Sequence, residues 1–357
     1  MTETGLIQLL TPEGERVDNP AYPLDEAADI KGMYRDMVLV RRVDTEAIAL
    51  QRHGELGLWA SLLGQEAAQI GSGRALTPKD MAFPSYREHG VAWCRGLDPL
   101  RLLELFRGIS NGSWNPEEHK FHLYTIVIGD QTLHATGYAM GIQRDAAEDE
   151  AVIVYFGDGA TSQGDVSEAF AWASVFNAPV VFFCQNNQWA ISAPQDRQSR
   201  VPLYQRASGF GFPGVRIDGN DVLASLAVTR KALADARSGQ GPTLIEAFTY
   251  RMNPHTTSDD STRYRLGAEL ETWKLKDPIA RVRAYLTRHA QVGPEFFESI
   301  DRESEALAEH IRSGCRALPD PAALSVFDHV HTELTDELRE QREGFATYLA
   351  SFEEVGA

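Results

Sequence analysis

The sequence predicts an α/β fold in which helices cover both faces of a parallel sheet. Two continuous apolar runs, Val152–Phe156 and Pro179–Cys184, are typical of strands that are buried on both faces. The segment between them, Ser167–Phe176, has a helix-like composition and the length that a crossover between parallel strands requires. Together the three segments predict a βαβ unit.

The remaining elements are predicted from the spacing of apolar residues. From Asp25 to about His53, six apolar residues recur roughly at helical spacing and predict a long amphipathic helix: Ile30, Met33, Met37, Val38, Val40 and Ile48. A third strand, Thr243–Phe248, precedes a polar, charge-rich loop. The tail from about Pro294 to Glu354 predicts two charged amphipathic helices that serve packing or subunit contact.

Composition favours one large domain with extensions at both ends. The chain has 357 residues, 43% of them hydrophobic, and no Pro/Gly/Ser-rich linker divides its middle, so a single core is favoured over two domains. We expect an N-terminal extension over residues 1–28, an α/β domain over 29–285, and a C-terminal helical extension over 286–357 that packs on the same domain.

The charge of the chain limits its partners. A formal net charge of -17 would repel nucleic acid and anionic lipid, so we expect neither as a partner, and a phosphate-bearing ligand would need a local site. No apolar run approaches the roughly 20 residues that cross a bilayer. The three cysteines lack metal-type spacing, and the start of the chain lacks an export pattern. These features predict a cytoplasmic protein.

Polar residues follow both predicted central strands directly. Gly157-Asp158-Gly159 ends the first strand and Gln185-Asn186-Asn187 ends the second. A right-handed crossover places these ends side by side, where ligands of open α/β sheets bind. Carboxylate, amide and carbonyl oxygens together with phosphate oxygens suit Mg²⁺. A lone Gly-Asp-Gly is common in turns, so the spacing of the pair carries the specificity.

The paired motifs resemble the thiamine diphosphate signature of transketolase-like enzymes. The sequences Tyr155–Asp165 and Phe183–Ser192 are similar to the alpha subunit of the first, decarboxylating component of 2-oxo acid dehydrogenase complexes, and closest to the branched-chain type. The similarity extends from about residue 30 to 330. It implies the transketolase-like fold, with thiamine diphosphate and Mg²⁺ as cofactors.

The resemblance assigns a role to each motif residue. It implies that Asp158, Asn187 and the main-chain oxygen of Trp189 coordinate Mg²⁺. It also implies a set of residues that contact the diphosphate or the pyrimidine: Tyr86, Arg87, Gly157, Gly159 and Ala160. Gln185 stands where some relatives carry an arginine to the diphosphate, so here it is at most a neutral donor.

Ile126 and Ile128 are candidates for the apolar residue over which this family bends the cofactor. They lie in Thr125–Gln131, where the family also presents main-chain contacts to the aminopyrimidine. The alternative interpretation of both isoleucines is core packing.

The polar segment Tyr250–Arg265 resembles the catalytic and regulatory loop of the family, in which a histidine faces the reacting carbon. His255 inherits that role, and a histidine that titrates near neutrality can also donate a proton to a developing alkoxide. Four further residues match those that order the loop: Arg251, Asp259, Tyr264 and Arg265. Pro254 replaces a second histidine of many relatives, and Thr256 replaces a serine that is phosphorylated in some.

The resemblance implies a shared active site. The cofactor stores the electrons when CO₂ leaves the 2-oxo acid, and the acyl group passes to a lipoyl domain of the acyltransferase component. Forming the reactive cofactor needs a glutamate from a pyrimidine-binding domain, for which this chain lacks room. We therefore expect a beta subunit and an α₂β₂ heterotetramer.

The substrate prediction is branched-chain 2-oxo acids. The stretch Thr257–Asp260 followed by Tyr264-Arg265 is closer to the branched-chain form than to the pyruvate form. Pyruvate is the second candidate and acetoin the third.

Two functions of other classes are left as alternatives. A regulatory α/β scaffold subunit would require a degenerate metal site, and a nucleotide-binding dehydrogenase would require a Gly-x-Gly-x-x-Gly after an early strand, which is missing. Titration with thiamine diphosphate and magnesium, compared with NAD, separates the three.

Overall fold

The computed structural model describes residues 5–23, 28–147 and 149–353, the last without the side chain of Glu353. Parts of the predicted terminal extensions, residues 1–4, 24–27 and 354–357, lie outside the described residues. The helices are α1 (Ile30–Arg52), α2 (Glu66–Gly73), α3 (His89–Cys94), α4 (Pro99–Arg107), α5 (Pro116–His119), α6 (Asp130–Arg144), α7 (Gly164–Val175), α8 (Arg206–Gly209), α9 (Val222–Arg237), α10 (Gly267–Lys274), α11 (Pro278–Arg288), α12 (Pro294–Ala317) and α13 (Asp336–Glu353). The strands are β1 (Met81–Phe83), β2 (Val152–Gly157), β3 (Val180–Asn186), β4 (Trp189–Ala190), β5 (Ala193–Pro194), β6 (Gly214–Asp218) and β7 (Thr243–Phe248).

Five of the strands form one parallel sheet in the order β1-β2-β3-β7-β6. The three strands predicted from sequence, β2, β3 and β7, occupy its centre. The register pairs Gly157 with Gln185 and Asn186 with Phe248, so three strands end at the same edge. The βαβ unit and the α/β class are confirmed.

Alternate residues of the central strands pack on opposite sides of the sheet. Val154, Phe156 and Phe182 join the core beneath α6 and α7. Ile153 and Phe183 join the larger core that contains apolar residues of α1, α2 and α9. Each of these five side chains is fully buried, which stabilises the fold by about 1.5–3 kcal/mol per side chain. Helices therefore cover both faces, as the apolar runs predicted.

The long N-terminal helix begins later than the sequence suggests. Asp29 caps α1 by accepting a hydrogen bond from the Gly32 amide at 2.8 Å, and the first helical residue is Ile30. The predicted start, Asp25, lies outside the described residues. The periodic apolar residues Met33, Met37 and Val40 are buried, so the helix and its inner face are confirmed.

A segment near the start of the chain extends the sheet edge at β6. The Ile7 amide donates to the Arg216 carbonyl, and the Asp218 amide donates to the Ile7 carbonyl, both at 2.9 Å. Asp221 then accepts the Leu9 and Leu10 amides on one carboxylate oxygen. Its other oxygen caps α9, so one buried side chain joins two distant segments. Burial raises the pKa of Asp221 to about 6.

Asp221→Ala is expected to lower the free energy of unfolding by about 2–4 kcal/mol, because it removes a cap and leaves buried amides without an acceptor. The matched control is Asp98→Ala at α4, where an exposed cap accepts one amide, from Leu100. The control should lose about 1 kcal/mol. Urea unfolding of both variants measures the difference, and equal losses would contradict this role of Asp221.

The chain divides into two compact units, one extending to Arg316 and the other beginning at Ala317. In the first unit, Arg312 of α12 donates to the Glu46 carboxylate of α1 at 2.9 and 3.0 Å. In the second, Phe327 packs against Phe345 of α13 with ring centroids 6.2 Å apart. The predicted boundaries at residues 28 and 285 stay predictions. Within the described ranges, no helix is long and apolar enough to span a membrane.

Candidate active site

A cavity of about 480 Å³ opens at the carboxyl ends of β2 and β3. Two glutamines that the sequence analysis did not select, Gln65 and Gln131, are part of its wall. The wall also includes thirteen of the predicted site residues: Tyr86, Arg87, Ile126, Ile128, Gly157, Asp158, Gly159, Ala160, Gln185, Asn187, Trp189, Arg251 and His255. The structure therefore brings together residues from five separate stretches of the chain.

The turn after β2 brings the Gly-Asp-Gly motif against β4. Residues Asp158–Ser162 form a single 3-10 turn, which Thr161 closes by donating its hydroxyl to the Asp158 carbonyl at 2.7 Å. A Cβ atom on Gly159 would lie 2.7 Å from Cβ of Ala190. Only glycine permits this close approach, which keeps Asp158 beside the strand that carries Trp189.

The Asn187 amide and two oxygens converge at the tips of the two strands. One terminal atom of this amide lies 3.3 Å from Asp158 Oδ1 and 3.2 Å from the Trp189 carbonyl oxygen, and hydrogen bonding within the chain favours the nitrogen in this place. A divalent cation among these groups would instead favour the amide oxygen, which would complete a set of three oxygen ligands. The donor set fits Mg²⁺.

Asp158 is held as a buried carboxylate. It is 1% exposed, and burial raises the pKa of its carboxyl to about 6, although a hydrogen bond from Gln198 opposes the shift. Gln198 donates its Nε2 to Asp158 Oδ2 at 2.9 Å. A bound cation would compensate the buried charge directly. Gln198 could not be selected from the sequence because it lies in a polar loop without a motif.

Three buried glutamine side-chain atoms in or beside the cavity wall have no hydrogen-bond partner among the described residues. Gln131 Oε1, Gln65 Nε2 and Gln198 Oε1 are all buried and make no hydrogen bond to any part of the chain that the structure describes. Buried polar atoms are rarely left unpaired in proteins, so their presence beside a cavity indicates a polar ligand.

Arg87 is the cationic group expected to hold a diphosphate. Its Nη1 donates to the Ser61 carbonyl at 2.5 Å and its Nη2 to the His255 carbonyl at 2.9 Å. With Arg251 it places positive charge in the cavity of an otherwise acidic chain. A local pair of guanidinium groups is the site that a phosphate ligand requires here.

Gln185 borders the cavity, but its amide is engaged by the protein. Its Nε2 donates to Glu88 Oε1 at 2.6 Å, and its Oε1 accepts from Gln69 at 3.0 Å. Glu88 also accepts the amide and hydroxyl of Ser85. The neutral residue thus satisfies a buried carboxylate where some relatives carry a cation.

His255 projects into the cavity between two arginines. Arg87 Nη2 and Arg251 Nη1 lie 3.3 and 3.4 Å from its Nδ1. Because guanidinium groups only donate, Nδ1 accepts, and the proton of the neutral ring lies on Nε2, 3.5 Å from the Tyr86 hydroxyl. Burial and the two arginine charges lower the pKa of His255 to about 3. The expectation that His255 titrates near neutrality is therefore wrong.

The four predicted loop residues form one network around His255. Arg251 donates to the carbonyls of Trp189 and Ile191 at 2.7 and 2.9 Å, which ties the loop to β4. Asp259 accepts the His255 amide at 2.8 Å and also the Tyr264 hydroxyl.

Arg265 closes the loop behind this network. It donates to the main-chain oxygens of Arg251 and Met252, the latter at 3.0 Å. Hydrogen bonds from its own side chains therefore hold the loop together.

Ile126 and Ile128 lie in the loop before α6, at the rim of the cavity. Their side chains are 63% and 39% exposed, so the alternative interpretation of core packing is wrong. Val127 between them is 67% exposed. The rim is therefore apolar and open.

Comparison with known proteins decides the family. The family model for the dehydrogenase E1 component matches residues 34–320. The chain belongs to this family. It is 44% identical over 350 residues to the 3-methyl-2-oxobutanoate dehydrogenase subunit alpha of Mycobacterium tuberculosis strain H37Rv, covering 96% of this chain and 94% of that protein. It is 41% identical over 343 residues to the pyruvate dehydrogenase E1 component subunit alpha of Acholeplasma laidlawii, covering 94% and 98%.

A third relative, the pyruvate dehydrogenase E1 component subunit alpha of Bacillus cereus, is 35% identical over 339 residues, covering 94% of this chain and 91% of that protein. E1 components are oxidoreductases that generally depend on thiamine diphosphate. The predicted family, enzyme class and transketolase-like fold are confirmed.

Proposed function

We propose that this chain is the alpha subunit of a branched-chain 2-oxo acid dehydrogenase. It would decarboxylate an acid such as 3-methyl-2-oxobutanoate and pass the acyl group to the lipoyl domain of an acyltransferase component. The observation that carries the proposal is the convergence of the Asp158 carboxylate, the Asn187 amide and the Trp189 carbonyl in the cavity that His255 also lines, in a chain of the E1 family. The name of the 44% identical relative supports the substrate.

Asp158, Asn187 and the Trp189 carbonyl would hold Mg²⁺, which would in turn hold the cofactor diphosphate. Tyr86 and Arg87 would contact the same diphosphate, and Ile126 or Ile128 would support the cofactor rings. Thiamine diphosphate, once bound, would supply a nucleophilic carbon and accept the electron pair released with CO₂. The unpaired atoms of Gln65, Gln131 and Gln198 support a polar ligand at this position.

His255 acts as a neutral hydrogen-bond donor in this mechanism. Its Nε2 proton would point at the oxygen of the substrate 2-oxo group, where negative charge develops as the carbonyl carbon is attacked. The two arginines on Nδ1 fix this tautomer. Asp259 holds the backbone of His255, so the donor is already oriented before substrate arrives.

A beta subunit would complete the site. Of the cavity-lining carboxylates, Asp158 is the candidate metal ligand, and Glu88 accepts four hydrogen bonds, from Ser85, Arg87 and Gln185. Neither is free to activate a cofactor. The open apolar rim at Ile126 supports a partner that covers it, and we propose an α₂β₂ assembly. A cytoplasmic location stays a prediction.

The test is reconstitution. The purified chain should show little 2-oxo acid decarboxylation with thiamine diphosphate and Mg²⁺, because the activating glutamate is missing. Adding the beta subunit should raise the rate by about 100-fold or more, as expected when a missing general acid or base is restored. Release of CO₂ measures both. Full turnover by the chain alone would contradict the split site and point to Glu88 instead.

Substrate choice is tested in the same assembly. We expect kcat/KM for 3-methyl-2-oxobutanoate to exceed that for pyruvate by about 10-fold or more, the discrimination that a hydrophobic acyl pocket provides. The reverse order would identify a pyruvate dehydrogenase, which is the second candidate because two relatives carry that name. Preference for acetoin would identify the third.

A further inference from the structure

Asp44 of α1 is a buried carboxylate for which the proposed mechanism has no use. It is 2% exposed and accepts three hydrogen bonds from one short segment, residues 59–62. Trp59 Nε1 and the Leu62 amide donate to Oδ1 at 2.8 and 3.0 Å, and the Ser61 hydroxyl donates to Oδ2 at 2.6 Å. The segment lies outside the helices and strands, and Asp44 holds it at three points, together with His89, which stacks on Trp59 and hydrogen-bonds to the Ala60 carbonyl.

The same segment contacts both parts of the candidate site. On one side, the Ser61 carbonyl accepts from Arg87. On the other, the Trp59 amide donates to the Thr257 hydroxyl, and the Thr257 amide donates to the Trp59 carbonyl, both at 3.0 Å. Asn253 also donates to the Ser61 hydroxyl at 2.8 Å. His255 lies between Asn253 and Thr257, so the segment holds the loop on either side of the histidine.

We propose that Asp44 is a positioning residue for the active-site loop, acting through residues 59–62 on Arg87 and on the backbone around His255. Its effect on catalysis rests on the proposed function. Its effect on the loop does not, because the hydrogen bonds that carry it lie wholly within this chain.

The proposal predicts a local effect because the groups that Asp44 satisfies are few and buried. Without the carboxylate, the Trp59 indole N–H and the Leu62 amide lose the acceptor that they have among the described residues, and each such loss is unfavourable. Residues 59–62 would then move to find water. Thr257 and Asn253 would lose the partners that hold them, whereas the strands of the sheet make no contact with this carboxylate among the hydrogen bonds of the described residues.

The test compares three variants of the full chain. Asp44→Ala removes the acceptor. Asp44→Asn keeps an oxygen for Trp59 and Leu62 but takes the acceptor from the Ser61 hydroxyl, whose own oxygen already accepts from Asn253 and Leu63, so it is an intermediate variant. The matched control, Asp36→Ala, removes another buried carboxylate from α1, one that binds Arg74 and Trp93 instead.

Amide hydrogen exchange in residues 253–265, without cofactor, is the first measurement. Asp44→Ala should speed exchange there by about 10-fold or more, Asp44→Asn by less than Asp44→Ala because two of the three hydrogen bonds remain, and Asp36→Ala by less than about 3-fold. Equal acceleration in Asp44→Ala and Asp36→Ala, or none in Asp44→Ala, would overturn the proposal. Should Asp44→Ala fail to fold, Ser61→Ala is the second variant, because it removes only the hydroxyl between Asp44 and Asn253. It should show the same local acceleration of exchange. Unchanged exchange in Ser61→Ala would overturn the proposal.

The second measurement uses the assembly reconstituted with the beta subunit. Asp44→Ala should lower kcat and raise the apparent KM for thiamine diphosphate, each by about 10-fold, and Asp44→Asn should restore part of both. Loss of loop protection with unchanged kinetics would refute only the catalytic part. An inactive wild-type assembly whose loop still depends on Asp44 would refute the proposed function and leave the positioning role intact.

Discussion

Asp158→Asn is expected to abolish magnesium-dependent binding of thiamine diphosphate and to reduce 2-oxo acid decarboxylation by about 100-fold or more. Asparagine has the size of aspartate and can still accept from Gln198, so the change removes the charge and little else. The two remaining oxygens, from Asn187 and Trp189, are neutral and cannot balance a divalent cation. Calorimetric titration with and without Mg²⁺ measures the loss.

The thermal stability of Asp158→Asn shows whether a loss of binding comes from the metal site or from misfolding. Burial raises the pKa of Asp158 from 3.8 to about 6, so its stabilising contribution is complete below pH 3.8 and is lost as the pH rises through about 6. Without cofactor at pH 7.5, Asp158→Asn should therefore melt at or above the wild-type temperature. Asp165→Asn, a control in the first turn of α7, should bind normally. Normal binding by Asp158→Asn would exclude this metal site.

His255→Ala is expected to lower kcat by about 100- to 1000-fold while changing the dissociation constant of thiamine diphosphate little. The reason is that its Nε2 proton meets the substrate oxygen, whereas the cofactor is held mainly by the cation and Arg87. Single-turnover decarboxylation in the reconstituted assembly measures the effect. His255→Gln offers an amide N–H near the same place and should recover part of the rate.

The pH dependence distinguishes a neutral donor from a charged one. Because the pKa of His255 is lowered to about 3, the ring stays neutral across pH 5–8. The pH profile of kcat should therefore show no step near pH 6.5 that depends on His255, and His255→Gln should leave the shape of the profile unchanged. Stability linked to this group is present above about pH 6.5 and declines as the pH falls toward 3. A step near neutrality that vanishes in His255→Gln would show that the ring is protonated during turnover.

The central sheet could be predicted from sequence because its strands are buried on both faces. Continuous apolar runs identified β2 and β3 within a residue or two, and the third predicted strand matches β7. The edge strands gave no such signal, since β1 has three residues and β6 contains Arg216 and Asp218. Pairing of Ile7 with Ile217 depends on contacts that no local pattern encodes.

The candidate site was predictable where residues follow strands in motifs, and only there. Asp158 comes directly after β2 and Asn187 directly after β3, so the register of the sheet places them together. Gln198 lies in a loop and contacts Asp158, 40 residues away in sequence. Asp44 lies in a helix and contacts Ser61, 17 residues away. The charge state of His255 depends on its burial and on its distances to Arg87 and Arg251, which only the folded chain establishes.

The bond between Leu9 and Asp221 spans 212 residues of chain. During synthesis, Leu9 leaves the ribosome well before Asp221 and must wait for most of the sheet before its acceptor exists. Its docking is therefore a late step in folding, and until then the open edge of β6 can pair with the corresponding segment of another molecule. Exchange of this segment between nascent chains is a misassembly that the architecture permits.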